Sequence, residues 1–149
     1  MPFPISLSGT VSSGDLTPDQ ALERLESALL ATNARDLRRA GTELTFRGGL
    51  RLSGTNVLGP ITHGQLRVKE ASTGVQIAWV VTLGQLLLMV TGAVALMGLL
   101  PQERPFPGGP IPYLLPWLFL VGGNTAVTRW RWPRFLARAL RTPAHPVSP

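Results

Sequence analysis

The stretch Ala78–Leu100, AWVVTLGQLLLMVTGAVALMGLL, holds 23 residues without a charge, seven of them leucine and four valine. A helix rises about 1.5 Å per residue, so such a segment reaches across a hydrocarbon layer of about 30 Å. Leucine and valine near a helix centre each favour insertion by about 0.3–0.6 kcal/mol, in total about 5 kcal/mol here. Only Gln85 and the threonines at 82 and 91 oppose it. A chain of 149 residues offers little else to cover a helix that is apolar on every side. The stretch therefore predicts a transmembrane helix.

A second apolar run, Tyr113–Thr128, supplies Leu114, Leu115, Leu118, Phe119, Leu120 and Val121. Pro116 is tolerable near a first turn, where a missing N–H has no helical partner to lose. Residues 101–112 contain five prolines and Gly108-Gly109, which must turn the chain. Residues 77–129 thus read as a transmembrane hairpin, with helices 78–100 and 113–128 around a Pro-rich loop. Arg67 and Lys69 precede it, whereas Arg129, Arg131, Arg134, Arg138 and Arg141 follow it. The positive-inside rule then places both termini in the cytoplasm. Trp79, Trp130 and Trp132 fall at the inner interface, with Tyr113 and Trp117 at the outer. Thirteen arginines against one lysine point to a GC-rich genome. The expected location is the bacterial inner membrane.

Residues 1–76 carry eight of the fourteen basic residues and seven of the eight acids, so the net charge of +6 arises mainly beyond them. They read as a small α+β domain. Residues 4–12 suggest a first strand. Thr17-Pro18-Asp19-Gln20 opens a helix with a capping box and proline at its first position. Ala21, Leu22, Leu25, Ala28 and Leu29 make one apolar stripe, and Asn33 ends the helix. Alternating runs at Leu44/Phe46, Leu50/Leu52, Leu66/Val68 and Val75/Ile77/Trp79 predict four strands of an antiparallel sheet with one buried face. The expected order is β-α-β-β-β-β, one helix on the sheet. Residues 130–149 complete the chain as a basic amphipathic helix and a disordered tail.

No cysteine is present, which excludes disulfides, Fe–S clusters and thiolate zinc sites. Residues 1–20 lack the basic opening and apolar core of a secretory signal. His63 and His145 have no neighbours at metal-ligand spacing, and Ser12 and Ser13 stand in no nucleophile motif. Gly48-Gly49 belongs to no phosphate-binding fingerprint. Catalytic residues, metals and cofactors are therefore not assigned, and the chain reads as a non-enzyme.

The remaining candidates concern contact. Gly122 and Ala126, like Thr91 and Ala95, have the small-xxx-small spacing that lets helices approach closely. Gln85 and Asn124 carry amides that seek a partner within the hairpin or on another protein. Arg131, Arg134, Arg138 and Arg141 share a helical face suited to anionic lipid of the inner leaflet. Nucleic acid is disfavoured, because no folded binding module accompanies the arginines. The reading that follows is a two-pass accessory or assembly subunit with a membrane-protein partner or a homo-oligomeric state. The alternatives are a membrane-anchored binding or sensor module for a lipid or small molecule, and a membrane enzyme using His63 with Glu70.

Overall fold

The computed structural model describes residues 5–48, 57–99 and 111–142. Its elements run β1 (Ser6–Ser13), α1 (Pro18–Ala31), β2 (Arg35–Ala40), β3 (Glu43–Arg47), β4 (His63–Ala71), β5 (Gly74–Thr82), α2 (Gly84–Leu99) and α3 (Ile111–Arg141). The strands form one antiparallel sheet in the order β1-β5-β4-β3-β2. Period-two alternation puts Leu7, Leu44, Phe46, Leu66, Val68, Val75, Ile77, Trp79 and Val81 on the buried face. Ser6, Ser8, Thr10, Gln65, Arg67, Lys69, Gln76 and Val80 occupy the other, which no described helix covers.

α1 forms as its residues dictate. The Thr17 hydroxyl accepts the Gln20 backbone N–H at 3.4 Å, and the Gln20 side-chain oxygen accepts the Thr17 N–H at 3.2 Å. Ala21, Leu22, Leu25 and Leu29 face the sheet. Past the end of the helix, Asn33 takes a left-handed φ of 62°.

Glycine on the buried face makes room for two aromatic rings. Gly9 lies opposite Trp79, and Gly64 opposite Phe46. A Cβ on Gly9 would stand 2.6 Å from the Trp79 ring, and one on Gly64 would clash with the edge of the Phe46 ring. Each aromatic therefore leans across its neighbouring strand. Phe46 then stacks on Trp132 of α3, centroids 5.7 Å apart, and Trp132 on Phe135 at 5.4 Å.

α3 thus completes the core. Its residues in the core are Trp132, Leu136, Ala139 and Leu140, at helical steps of three and four, while Val121 and Thr128 are buried outside that cluster. The helix packs on β1 and on α1, where the Arg24 guanidinium donates to the Leu140 carbonyl in the last turn of α3. A cation there also opposes the negative end of the helix dipole.

Several expectations from sequence are corrected here. The residues from Ala78 to Thr82 continue β5, so the apolar helix begins only at Gly84. The sixteen residues Gly84–Leu99 span about 24 Å, short of a hydrocarbon layer of about 30 Å. α3 is longer, but its outward positions turn from leucine to arginine halfway. Among the described residues no helix is long and apolar enough to cross a membrane. The two-helix transmembrane hairpin, the two-pass integral subunit, its membrane-anchored alternatives and the inner-membrane location are accordingly not supported. The short basic C-terminal helix is also revised: it is the second half of α3, and its apolar side enters the domain core, where lipid was expected. In the sheet, β2 at Arg35–Ala40 was not foreseen. The strand expected at Leu50/Leu52, residues 101–110 of the loop expected over 101–112 and the tail from 143 lie outside the described residues, while Ile111 and Pro112 open α3.

Trp132 is fully buried, whereas Trp130, two residues earlier, is 61% exposed. Trp132→Ala is expected to destabilise the full chain by about 3–5 kcal/mol in chemical denaturation. Trp130→Ala should change its stability by no more than about 0.5 kcal/mol.

Candidate functional site

Large apolar side chains that stay exposed are not spread over this molecule. Ten of the twelve among the described residues belong to α2 or α3: Leu88, Met89, Leu96, Leu114, Leu115, Leu118, Phe119, Leu120, Val127 and Trp130. Phe119 is 80% exposed. No charged residue occurs in 84–99 or 111–128. Soluble monomers seldom expose a contiguous apolar patch above a few hundred Å².

Three contacts hold the pair in place. Leu83 N–H donates to the Ile5 carbonyl at 2.8 Å, fixing the chain as it leaves β5. The Gln85 N–H donates at 2.8 Å to the Thr62 hydroxyl, so a residue 23 positions upstream serves a backbone donor in the first turn of α2. Farther along, Trp117 Nε1 donates to the Thr91 hydroxyl at 3.0 Å and ties α3 to α2. The inward stripe of α3 does the rest, so the outward leucines are held rather than free to fold inward.

The residues singled out in the sequence fall as follows. Thr91 serves the seam between the two helices through Trp117. Ala95, Gly122 and Ala126 are exposed, and a Cβ added at Gly122, Gly123 or Gly92 would meet nothing within 4 Å. These small residues therefore border open space. Asn124 Nδ2 donates to the Leu120 carbonyl of its own helix at 2.7 Å, and the Gln85 side chain is exposed. Arg134 stacks over the Trp130 ring at 3.8 Å, Arg138 and Arg141 are exposed, and Arg131 is half-buried.

Residues weighed for catalysis do not converge. His63 opens β4 on the uncovered face, beside Arg47 and Thr82 in register. Glu70 stands seven residues along the same strand and, by alternation, on the opposite side. Among the described residues no group of three or more His, Asp or Glu is placed to hold a metal. Three features escaped the sequence reading: the Thr62 contact, the aromatic slots over Gly9 and Gly64, and the burial of Trp132. The last had a signal, since Trp132, Leu136 and Ala139 recur at helical spacing, but the preceding apolar run made the segment look like a membrane flank.

On the uncovered face Glu43 bridges to Arg67 on the adjacent strand, Arg67 Nε donating to its carboxylate at 2.6 Å, and Gln65 Nε2 donates to it at 3.2 Å. The hydrogen bond from Arg67 holds the Glu43 carboxyl below its ordinary value of 4.5, with Gln65 and the Arg67 charge adding to the effect. A carboxyl depressed by folding contributes stability above its unfolded pKa and loses it as pH falls through the folded value. The gap in denaturation midpoint between wild type and Glu43→Gln should accordingly be widest above pH 4.5 and close as the solution is acidified below it.

Comparison with models of known families, with curated proteins and with solved structures finds no match to this chain.

Proposed function

We propose that this protein works by contact, as a self-assembling module whose α2–α3 pair docks on the same pair of a second copy. The observation that carries this is the concentration of exposed apolar side chains on those two helices. A helix apolar on all sides is stable in water only when its outer faces are covered. The chemistry of the surface fits a second copy. It is uncharged, so self-pairing brings no like charges together. Gly92, Gly122, Gly123 and Ala126 open small-residue tracks along which another helix can approach closely.

The arginines give the contact a direction. Arg129, Arg134, Arg138 and Arg141 follow the apolar half of α3 and are exposed. Parallel docking of two α3 helices would set these clusters against each other. Antiparallel docking, about a two-fold axis perpendicular to the helices, places them at opposite ends and keeps leucine against leucine. The assembly is therefore an antiparallel arrangement of four helices, two from each copy. The sheet domains sit outside it, with their uncovered faces available.

Leu115 and Phe119 lie one turn apart on the outward side of α3. Charge at both should weaken the contact by about 2–4 kcal/mol, or roughly 30- to 900-fold in dissociation constant. Light scattering of the full chain in aqueous buffer is expected to give a multiple of the 16.0 kDa chain mass. The Leu115→Lys/Phe119→Lys variant should shed that contact with an unchanged circular dichroism spectrum. A wild-type chain that stays at one copy, or that floats with anionic vesicles in place of self-associating, overturns the reading.

A further inference from the structure

The two edges of the sheet are built differently. At one edge, β2 is six residues long and carries Arg35, Arg38 and Arg39. Its register shifts between Arg35 and Arg38, and Asp36 there has a positive φ of 49°. Arg39 is bound to Asp19 of α1 at 2.6 Å, and Arg47 of β3 reaches Asp36 at 3.6 Å. Charge, irregular register and short length are the devices by which proteins stop a strand from recruiting another.

β1, at the other edge, has none of them. Its sequence SLSGTVSS holds no charge and no proline. All eight residues run in unbroken register with β5, from Ser6 opposite Thr82 to Ser13 opposite Val75. No described strand lies on its outer side. Half of its backbone N–H and C=O groups thus point outward along a straight, regular edge. The strand's own side chains leave its edge free, since Ser6, Ser8, Thr10 and Ser12 stand on the uncovered face while Leu7 and Val11 turn to the covered one.

We infer that β1 is a second self-pairing surface, at which two copies join β1 to β1 in antiparallel fashion and form a continuous ten-stranded sheet. A second copy fits because an antiparallel two-fold sets a strand against itself with the same alternation on both sides. The covered face stays covered across the junction, and the hydroxyl-bearing face continues as a hydroxyl-bearing face. Neutrality of the strand removes the repulsion that a charged edge would meet in its own copy.

This junction is separate from the helical one. α3 places Trp132, Leu136, Ala139 and Leu140 in the core with its second half, whereas its exposed leucines occupy the first half. α2 leaves the sheet at the end of β5. A two-fold through β1 sends the two helical pairs in opposite directions, so pairing at β1 leaves their apolar surfaces uncovered. The β1 junction goes beyond the helical contact proposed above, and the two together build an assembly larger than a dimer.

Light scattering of three full-length variants separates the two contacts. Ser8 and Thr10 are exposed, so Ser8→Lys/Thr10→Lys leaves the fold intact, as a melting curve verifies, while setting lysines beside lysines at the junction. Wild type is expected above two copies, this variant at two, and its combination with Leu115→Lys/Phe119→Lys at one. Because the chain has no cysteine, single cysteines at Ser6, Ser8, Thr10 and Ser12 give a second readout. A residue beside the two-fold lies about 4.5–5.5 Å from its own copy and should form a disulfide quickly under a mild copper oxidant, with yield falling away along the strand. A wild-type mass unaffected by the lysines at 8 and 10, with no cross-link from any β1 position, overturns the β1 junction and leaves the helical one standing. Loss of assembly on the β1 lysines alone, with no response to lysines at 115 and 119, keeps β1 and overturns the helical contact.

Discussion

Everything in this molecule depends on one stacked contact, the Trp132 indole on the Phe46 ring. Phe46 can reach it because Gly64, opposite on the next strand, offers no side chain, so the ring lies down across β4. The contact joins a residue near the end of the chain to the middle of the sheet and draws Leu136, Ala139 and Leu140 in behind it. The sheet's inner face needs this second cover. α1 presents only four buried residues, enough for the β4 side, and leaves β1 to α3. A small domain has little interior to lose, and α3 adds the largest fully buried side chain among the described residues.

Anchoring α3 by its second half determines what its first half does. The core residues of α3 begin at Trp132, and the uncharged first half of the helix carries the exposed leucines. α2, leaving β5 at Gly84, runs beside it. The two meet through Trp117 and Thr91, and each covers one side of the other. Their outer sides remain apolar and uncovered. The interior packing of the domain thus produces the exposed surface on which the proposed assembly rests. The same anchoring keeps the helical layer on one face of the sheet, and no described helix covers the other.

The two sheet edges show how composition alone can differentiate equivalent positions in a fold. β1 and β2 occupy matching places at either side, and each has one hydrogen-bonded neighbour. Arginine and a shifted register make one edge a poor template. Serine, threonine and glycine in unbroken register make the other a good one. The bridge between Glu43 and Arg67, set between them on the uncovered face, links β3 to β4.

Local structure was legible where neighbours in sequence decide it. The Thr17–Gln20 capping box, the apolar stripe of α1 and the alternation at Leu44/Phe46, Leu66/Val68 and Val75/Ile77/Trp79 could be read directly, because turn geometry and strand pleat impose their own periods. β2 could not. An edge strand with one half-buried residue has no alternation to display. The stretch from Ala78 to Leu100 misled for a related reason: strand and helix can both use Trp, Val and Leu, and only pairing with β1 and β4 shows that β5 runs on to Thr82. Nor could residue spacing show which way the Trp132 face of α3 turns. An amphipathic helix suits a bilayer or a sheet equally well, and the choice falls to whichever apolar surface lies within reach. By itself the sequence determined α1, the alternation of β3 and β4, and the lack of charge along α2 and the first half of α3. Tertiary structure alone decided that Gly64 would admit Phe46, that Phe46 would meet Trp132, and that the helices would pack on this sheet, because those contacts join residues too far apart in the chain for any local pattern to record.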